Sequence, residues 1–175
     1  FYLIETKRNI NNKFQLLFYK SSFTWEKLYK QTLKYIIEYA LKNPNVDVIL
    51  KGKTGSLYNK DLFISKILPN NCTFIHGGTG EKFLKDAKVV IAFNSTIVFE
   101  TIASNRNLII PNFNNENKKN KNLMHQIENK KYFVNSKNQF NKKLDIYLNS
   151  KHIIKELSKT DKKTLKYYLG NTDGK

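Results

Sequence analysis

The feature that most constrains this chain is the alternation of short apolar runs with stretches of helical spacing. Phe14 to Tyr19, Val46 to Leu50, Cys72 to Ile75, Lys88 to Phe93 and Leu108 to Ile110 are short, mostly apolar and bounded by polar, glycine or proline corners. Near-continuous apolar runs of this length suit strands buried on both faces. Between them, Leu28, Thr32, Tyr35, Ile36, Tyr39 and Ala40 recur at helical intervals from Thr24 to about Lys42, and Asn43-Pro44-Asn45 breaks the pattern. A weaker helix is expected near Tyr58 to Ile67, with others over Glu81 to Asp86 and Ser95 to Ser104. This alternation predicts an α/β fold, a Rossmann-like, doubly wound, mostly parallel sheet with helices on both faces. Beyond Pro111 the Asn- and Lys-rich segment Asn112 to Asn122 reads as a loop, Tyr132 to Val134 as a last strand, and Phe140 to Leu148 and Ile153 to Leu169 as C-terminal helices.

At 175 residues and 40% hydrophobic content, residues 1–175 are expected to form one domain around one core. The chain opens on Phe1 and closes on Asp173-Gly174-Lys175, so a piece of a larger protein is expected. A lone cysteine, Cys72, offers neither an internal disulfide nor zinc-ligand spacing, which favours a reducing, cytoplasmic setting. No apolar run approaches the roughly 20 residues that span a bilayer. The formal charge of +17 would draw phosphates, nucleic acid or the anionic headgroups of a membrane's inner face. Lys and Asn are heavy throughout, however, and a coding bias toward A and T would give the same charge with no partner. Lysines scattered along the chain, with no basic tract, speak against nucleic acid.

In a doubly wound sheet, ligands bind beyond the carboxyl ends of the strands. The corner Asn94-Ser95-Thr96 falls at such an end, where first-turn amides and two hydroxyls suit a diphosphate. Glu100 lies four positions after Thr96, hence on the same helix face, where its carboxylate can accept from ribose hydroxyls. The alternative is that Ser95 and Thr96 only cap the helix and Glu100 is solvated.

The run Asp86-Ala87-Lys88-Val89-Val90-Ile91-Ala92-Phe93-Asn94-Ser95-Thr96, followed by Glu100-Thr101 and by Asn105-Arg106-Asn107-Leu108-Ile109-Ile110-Pro111, resembles a known motif. It is similar to the C-terminal halves of GT-B glycosyltransferases that build bacterial capsule and other surface polysaccharides, and of the related CDP-glycerol glycerophosphotransferase-like proteins. The Asp-Gly-Lys segment Asp173 to Lys175 matches a feature of those C-termini, whereas Lys51-Gly52-Lys53 stands where they often carry a loop with His and Pro. The resemblance implies a donor-binding half whose catalytic base lies in an absent N-terminal acceptor domain. It implies a nucleotide-sugar or CDP-polyol as substrate, a glycan or lipid-linked acceptor, and no bound cofactor or metal.

The loop His76-Gly77-Gly78-Thr79-Gly80 follows a strand, and its glycines permit close backbone approach to a nucleotide, with His76 near base or phosphate; an ordinary tight turn is the alternative. Lys51 can supply charge to a diphosphate or sit in a solvated loop. Ser21 and Ser22, at the first strand-to-helix corner, can touch the donor or cap the helix. Gly52-Lys53-Thr54 is no P-loop, because the required earlier glycine is Asp47. Two functional classes stay open: a transferase of glycosyl or polyol-phosphate groups, and a basic module for nucleic acid or anionic membrane.

Overall fold

The computed structural model describes residues 2–5, 14–17, 26–51, 68–75, 80–93, 95–113, 127–150 and 156–170. Their elements are β1 (Tyr2–Glu5), β2 (Phe14–Leu17), α1 (Glu26–Lys42), β3 (Val48–Lys51), β4 (Cys72–Ile75), α2 (Glu81–Leu84), β5 (Val89–Ile91), α3 (Ile97–Ala103), β6 (Asn107–Pro111), β7 (Phe133–Val134), α4 (Lys137–Asn149) and α5 (Lys159–Leu169). The fold is α/β and Rossmann-like, as the alternation predicts. β3 pairs with β4 in parallel, and β5, β6 and β7 form a second parallel group in that order. The strand β1 is not among those read from the sequence. It pairs antiparallel with β2, with Tyr2 opposite Leu17, and the hairpin approaches both β3 and β5. The β-prone residues Tyr2, Leu3 and Ile4 thus form a paired strand beside the parallel strands.

Val89, Val90, Ile91, Leu108, Ile109 and Ile110 are fully enclosed, which explains why their segments carry no polar alternation. The helices α1 and α4 pack together, joined where the Tyr39 hydroxyl donates to Asp145 Oδ1 at 2.6 Å and Lys137 pairs with Glu38. Tyr35 meets Phe113 edge to face, ring centroids 5.0 Å apart, so the tyrosines of α1 serve packing. A second helix pair is α3 and α5, joined by the Phe99 and Tyr168 rings stacked with centroids 3.9 Å apart.

The helix ends have local causes. α1 stops where the Asn43 side chain donates to Tyr39 O and Pro44 comes next. The Asn71 Nδ2 then donates to the carbonyls of Ala40, Asn43 and Val46 at 3.0, 3.1 and 2.7 Å, clamping the helix end to the turn before β4. α3 closes in a Schellman turn: Asn105 adopts φ 52°, its amide donates to Ile102 O and the Arg106 amide to Thr101 O. α5 begins at Lys159, not at Ile153 as periodicity suggests, because Ser158 caps it by accepting from the Asp161 amide at 3.2 Å. For the same reason α4 begins three residues before Phe140, behind a cap by Ser136. The expected loop from Asn112 starts later than its polarity suggests, since Asn112 and Phe113 are buried; its remainder and the expected helix near Tyr58 to Ile67 lie outside the described residues.

Candidate functional site

Parallel pairing aligns the strand ends, so the carboxyl edge is defined by Lys51 and Ile75 of one group, by Ile91 and Pro111 of the other, and by the residues directly after them. After β5 the ladder continues for one bond, Ala92 N–H to Ile109 O at 3.1 Å. Phe93 is buried and anchors the chain before the corner. Ser95 is then half-buried and Thr96 exposed.

Thr96 occupies the N-cap position of α3 with φ −58° and ψ −27°, and its side chain makes no capping bond. Among the described residues neither the Ser95 nor the Thr96 hydroxyl has a protein partner. The carbonyls of Ser95 and Thr96 accept the amides of Val98, Phe99 and Glu100, so the first turn is closed by backbone alone. With seven residues, α3 makes only about two turns. A phosphate here would be held by local hydroxyls and amides more than by a long helix dipole. Glu100 is half-buried in the first turn, and its carbonyl accepts from the Ser104 amide and hydroxyl. It is therefore neither freely solvated nor part of the core.

Lys51 corrects the reading of a solvated loop. It is the last residue of β3, opposite Ile75, and only 2% exposed. An ammonium group so deep must be satisfied internally, and Lys51 does interact with its surroundings. It places a buried positive charge at the carboxyl end of β3. Asn94, His76, Gly77, Gly78, Ser21 and Ser22 lie outside the described residues.

Two further features have no functional motif to mark them. Asn112, buried after β6, donates its amide to Val134 O at 2.8 Å and its side chain to Asn135 Oδ1 at 2.8 Å, tying the ends of β6 and β7. The strand-end rule that singles out the Asn94 corner applies equally to Asn112. The second is a buried cluster where α5 begins: Asp161 accepts from Ser158 Oγ at 2.6 Å, Asn129 Nδ2 at 3.1 Å and Lys131 Nζ at 3.1 Å. Burial alone would raise the Asp161 carboxyl, but donors from Ser158, Lys131, Asn129 and Tyr132 hold it below the usual range. Nearby, burial, helped by the Lys131 charge, pulls the Lys143 amine down to about 8.

Burial, with the Asp47 charge, pushes the Cys72 thiol up to about 12, which leaves no thiolate nucleophile there. Among the described residues no group of His, Cys, Asp and Glu could hold a metal ion, and no helix is long and apolar enough to cross a membrane.

No protein-family model matches the chain, and no curated protein matches it in sequence. Among solved structures it is similar to TarM, a wall teichoic acid glycosyltransferase, at TM-score 0.58 and 15% identity. The likeness covers 93% of this chain and 32% of TarM, so the chain spans about a third of that protein's length. At this identity the likeness establishes the fold alone, a Rossmann-like α/β arrangement.

Proposed function

We propose that this chain binds the nucleotide-sugar donor of a glycosyltransferase that makes a bacterial surface polymer. The observation that carries the reading is the corner after β5: two hydroxyls left without protein partners among the described residues, at the carboxyl edge of a Rossmann-like sheet whose fold is shared with TarM. In this reading Ser95 and Thr96, with Asn94 and the first-turn amides of α3, receive the diphosphate. Lys51 adds charge from the end of β3, and Glu100 accepts from ribose hydroxyls. His76, Gly77 and Gly78 border the nucleotide, while Ser21 and Ser22 close the donor side.

The chemistry such an edge supplies is leaving-group stabilisation. As the sugar departs, charge builds on the diphosphate, and preorganised donors aimed there favour the transition state over the bound donor. The acceptor and its general base are assigned to a region beyond this chain, so the piece alone should bind nucleotide with little turnover. The acceptor is a surface glycan or a lipid-linked precursor.

The test is calorimetry and thermal shift against CMP, CDP, UDP, GDP, ADP and TDP without metal. Stabilisation by one base over the rest supports the reading. Preference for CDP and CMP points to a CDP-polyol donor and hence polyol-phosphate transfer. Glu100→Ala should weaken the preferred nucleotide about tenfold through loss of a charged hydrogen bond to ribose. Unchanged affinity removes Glu100 from the site, and no response to any nucleotide rejects donor binding by this chain.

A further inference from the structure

Lysines that look scattered in the sequence come together on α5. Lys159, Lys162, Lys163 and Lys166 recur at helical spacing along one face, and all four are exposed. Lys162 pairs with Glu156 and Lys163 with Glu128, contacts between exposed groups that hold little energy and leave the charges available to a stronger partner. At the C-terminal end of the same outer face two apolar side chains stand in solvent, Tyr167 at 70% and Leu169 at 47% exposure, one on each flank of the lysine stripe. The opposite face is fixed: Asp161, Thr164 and Leu165 are buried and Tyr168 stacks on Phe99. The helix therefore cannot roll to hide Tyr167 and Leu169 without breaking its own seat.

We infer that the outer face of α5 docks on an anionic phospholipid surface, with the lysines at the headgroup phosphates and Tyr167 and Leu169 entering the interfacial layer. A basic stripe alone would suit any polyanion. Exposed aromatic and aliphatic groups joined to the stripe favour a partner with an apolar layer beneath its charge, which a membrane has and a nucleic acid backbone does not. The Tyr168 stack joins the C-terminal end of α5 to the first turn of α3, so the docking helix is packed directly on the helix that follows Ser95 and Thr96. The inference does not depend on donor binding.

The test is co-sedimentation of the 175-residue chain with phosphatidylcholine vesicles, with and without phosphatidylglycerol, at physiological salt. Binding to the anionic vesicles alone is expected. Lys159→Gln with Lys166→Gln should lower the partition coefficient about twentyfold, and Tyr167→Ser with Leu169→Ser several-fold. The control pair Lys34→Gln with Lys42→Gln removes the same charge from exposed positions on α1 and should change partition less than about threefold. All six side chains are exposed, and circular dichroism confirms folding of each variant. Equal loss in the control pair, equal binding to neutral vesicles, no binding, or indifference to the Tyr167 and Leu169 changes overturns the inference. The last outcome, with displacement by soluble polyuridylate, assigns the stripe to nucleic acid. Nucleotide affinity measured on the same variants should not move.

Discussion

Replacing Ser95 and Thr96 together by alanine separates a ligand corner from a capped helix. A Ser or Thr whose side chain caps a helix contributes about 1 kcal/mol, because its oxygen satisfies an otherwise orphaned amide. Here that bond is absent, and the first turn is closed by the Ser95 and Thr96 carbonyls, which alanine retains. The expected stability cost is therefore within about 0.5 kcal/mol, the range of surface substitutions. In a chain of this size that is a melting shift below about 2 °C. A hydroxyl donating to a charged phosphate oxygen is worth about 1.5–3 kcal/mol, so losing even one such bond should weaken nucleoside diphosphate binding roughly tenfold to a hundredfold. Circular dichroism of the free protein gives the first number, and titration calorimetry with the preferred nucleotide gives the second. A melting temperature lowered by about 4 °C or more with unchanged affinity would refute the reasoning and assign both hydroxyls to the helix.

Three further outcomes rest on the polar contacts that hold the fold. Asp161→Ala leaves the Ser158, Asn129 and Tyr132 donors around a buried site without their acceptor and should cost about 3 kcal/mol, read as a lower urea midpoint at unchanged slope. Because the folded Asp161 carboxyl lies below its unfolded value near 3.9, its contribution is present above about pH 4 and lost as pH falls through the folded value. Asp161→Asn should flatten the acid limb of the stability profile, and an unchanged limb would show that other carboxylates set it. Asn71→Asp should destabilise more than Asn71→Ala, since a carboxylate would face the three carbonyls that the amide now donates to; thermal melts of the two variants decide the order.

The parallel strands are legible in the sequence because full burial removes the need for polar alternation. Val89 to Ile91 and Leu108 to Ile110 look apolar for the same reason that they are fully enclosed. Helix starts are less legible, because periodicity locates a helix body and capping locates its first residue. Ser158-Lys159-Thr160-Asp161 has the spacing of a capping box, and the Asp161 amide bonds back to Ser158 as that spacing requires. Weight given to that signal moves the start of α5 from Ile153 to Lys159. The contacts that clamp the core, Asn71 to Ala40 or Asn129 to Asp161, join residues 31 and 32 positions apart, and no local pattern announces them.

Lys51 shows most plainly where one-dimensional reading stops. A lysine beside a glycine at the end of an apolar run reads as the start of a loop, since the free energy of solvating an ammonium favours water. Pairing with Ile75 holds it in the sheet instead, and the residue is only 2% exposed. A cation buried at the end of a strand is poorly placed to contribute stability, because desolvation offsets much of what its partners return. It is well placed to raise the local potential for an arriving anion, in a setting less screened than open water. On that ground Lys51→Met should weaken diphosphate binding more than it weakens the fold. A variant that lowered stability by several kcal/mol while keeping nucleotide affinity would return Lys51 to a structural role.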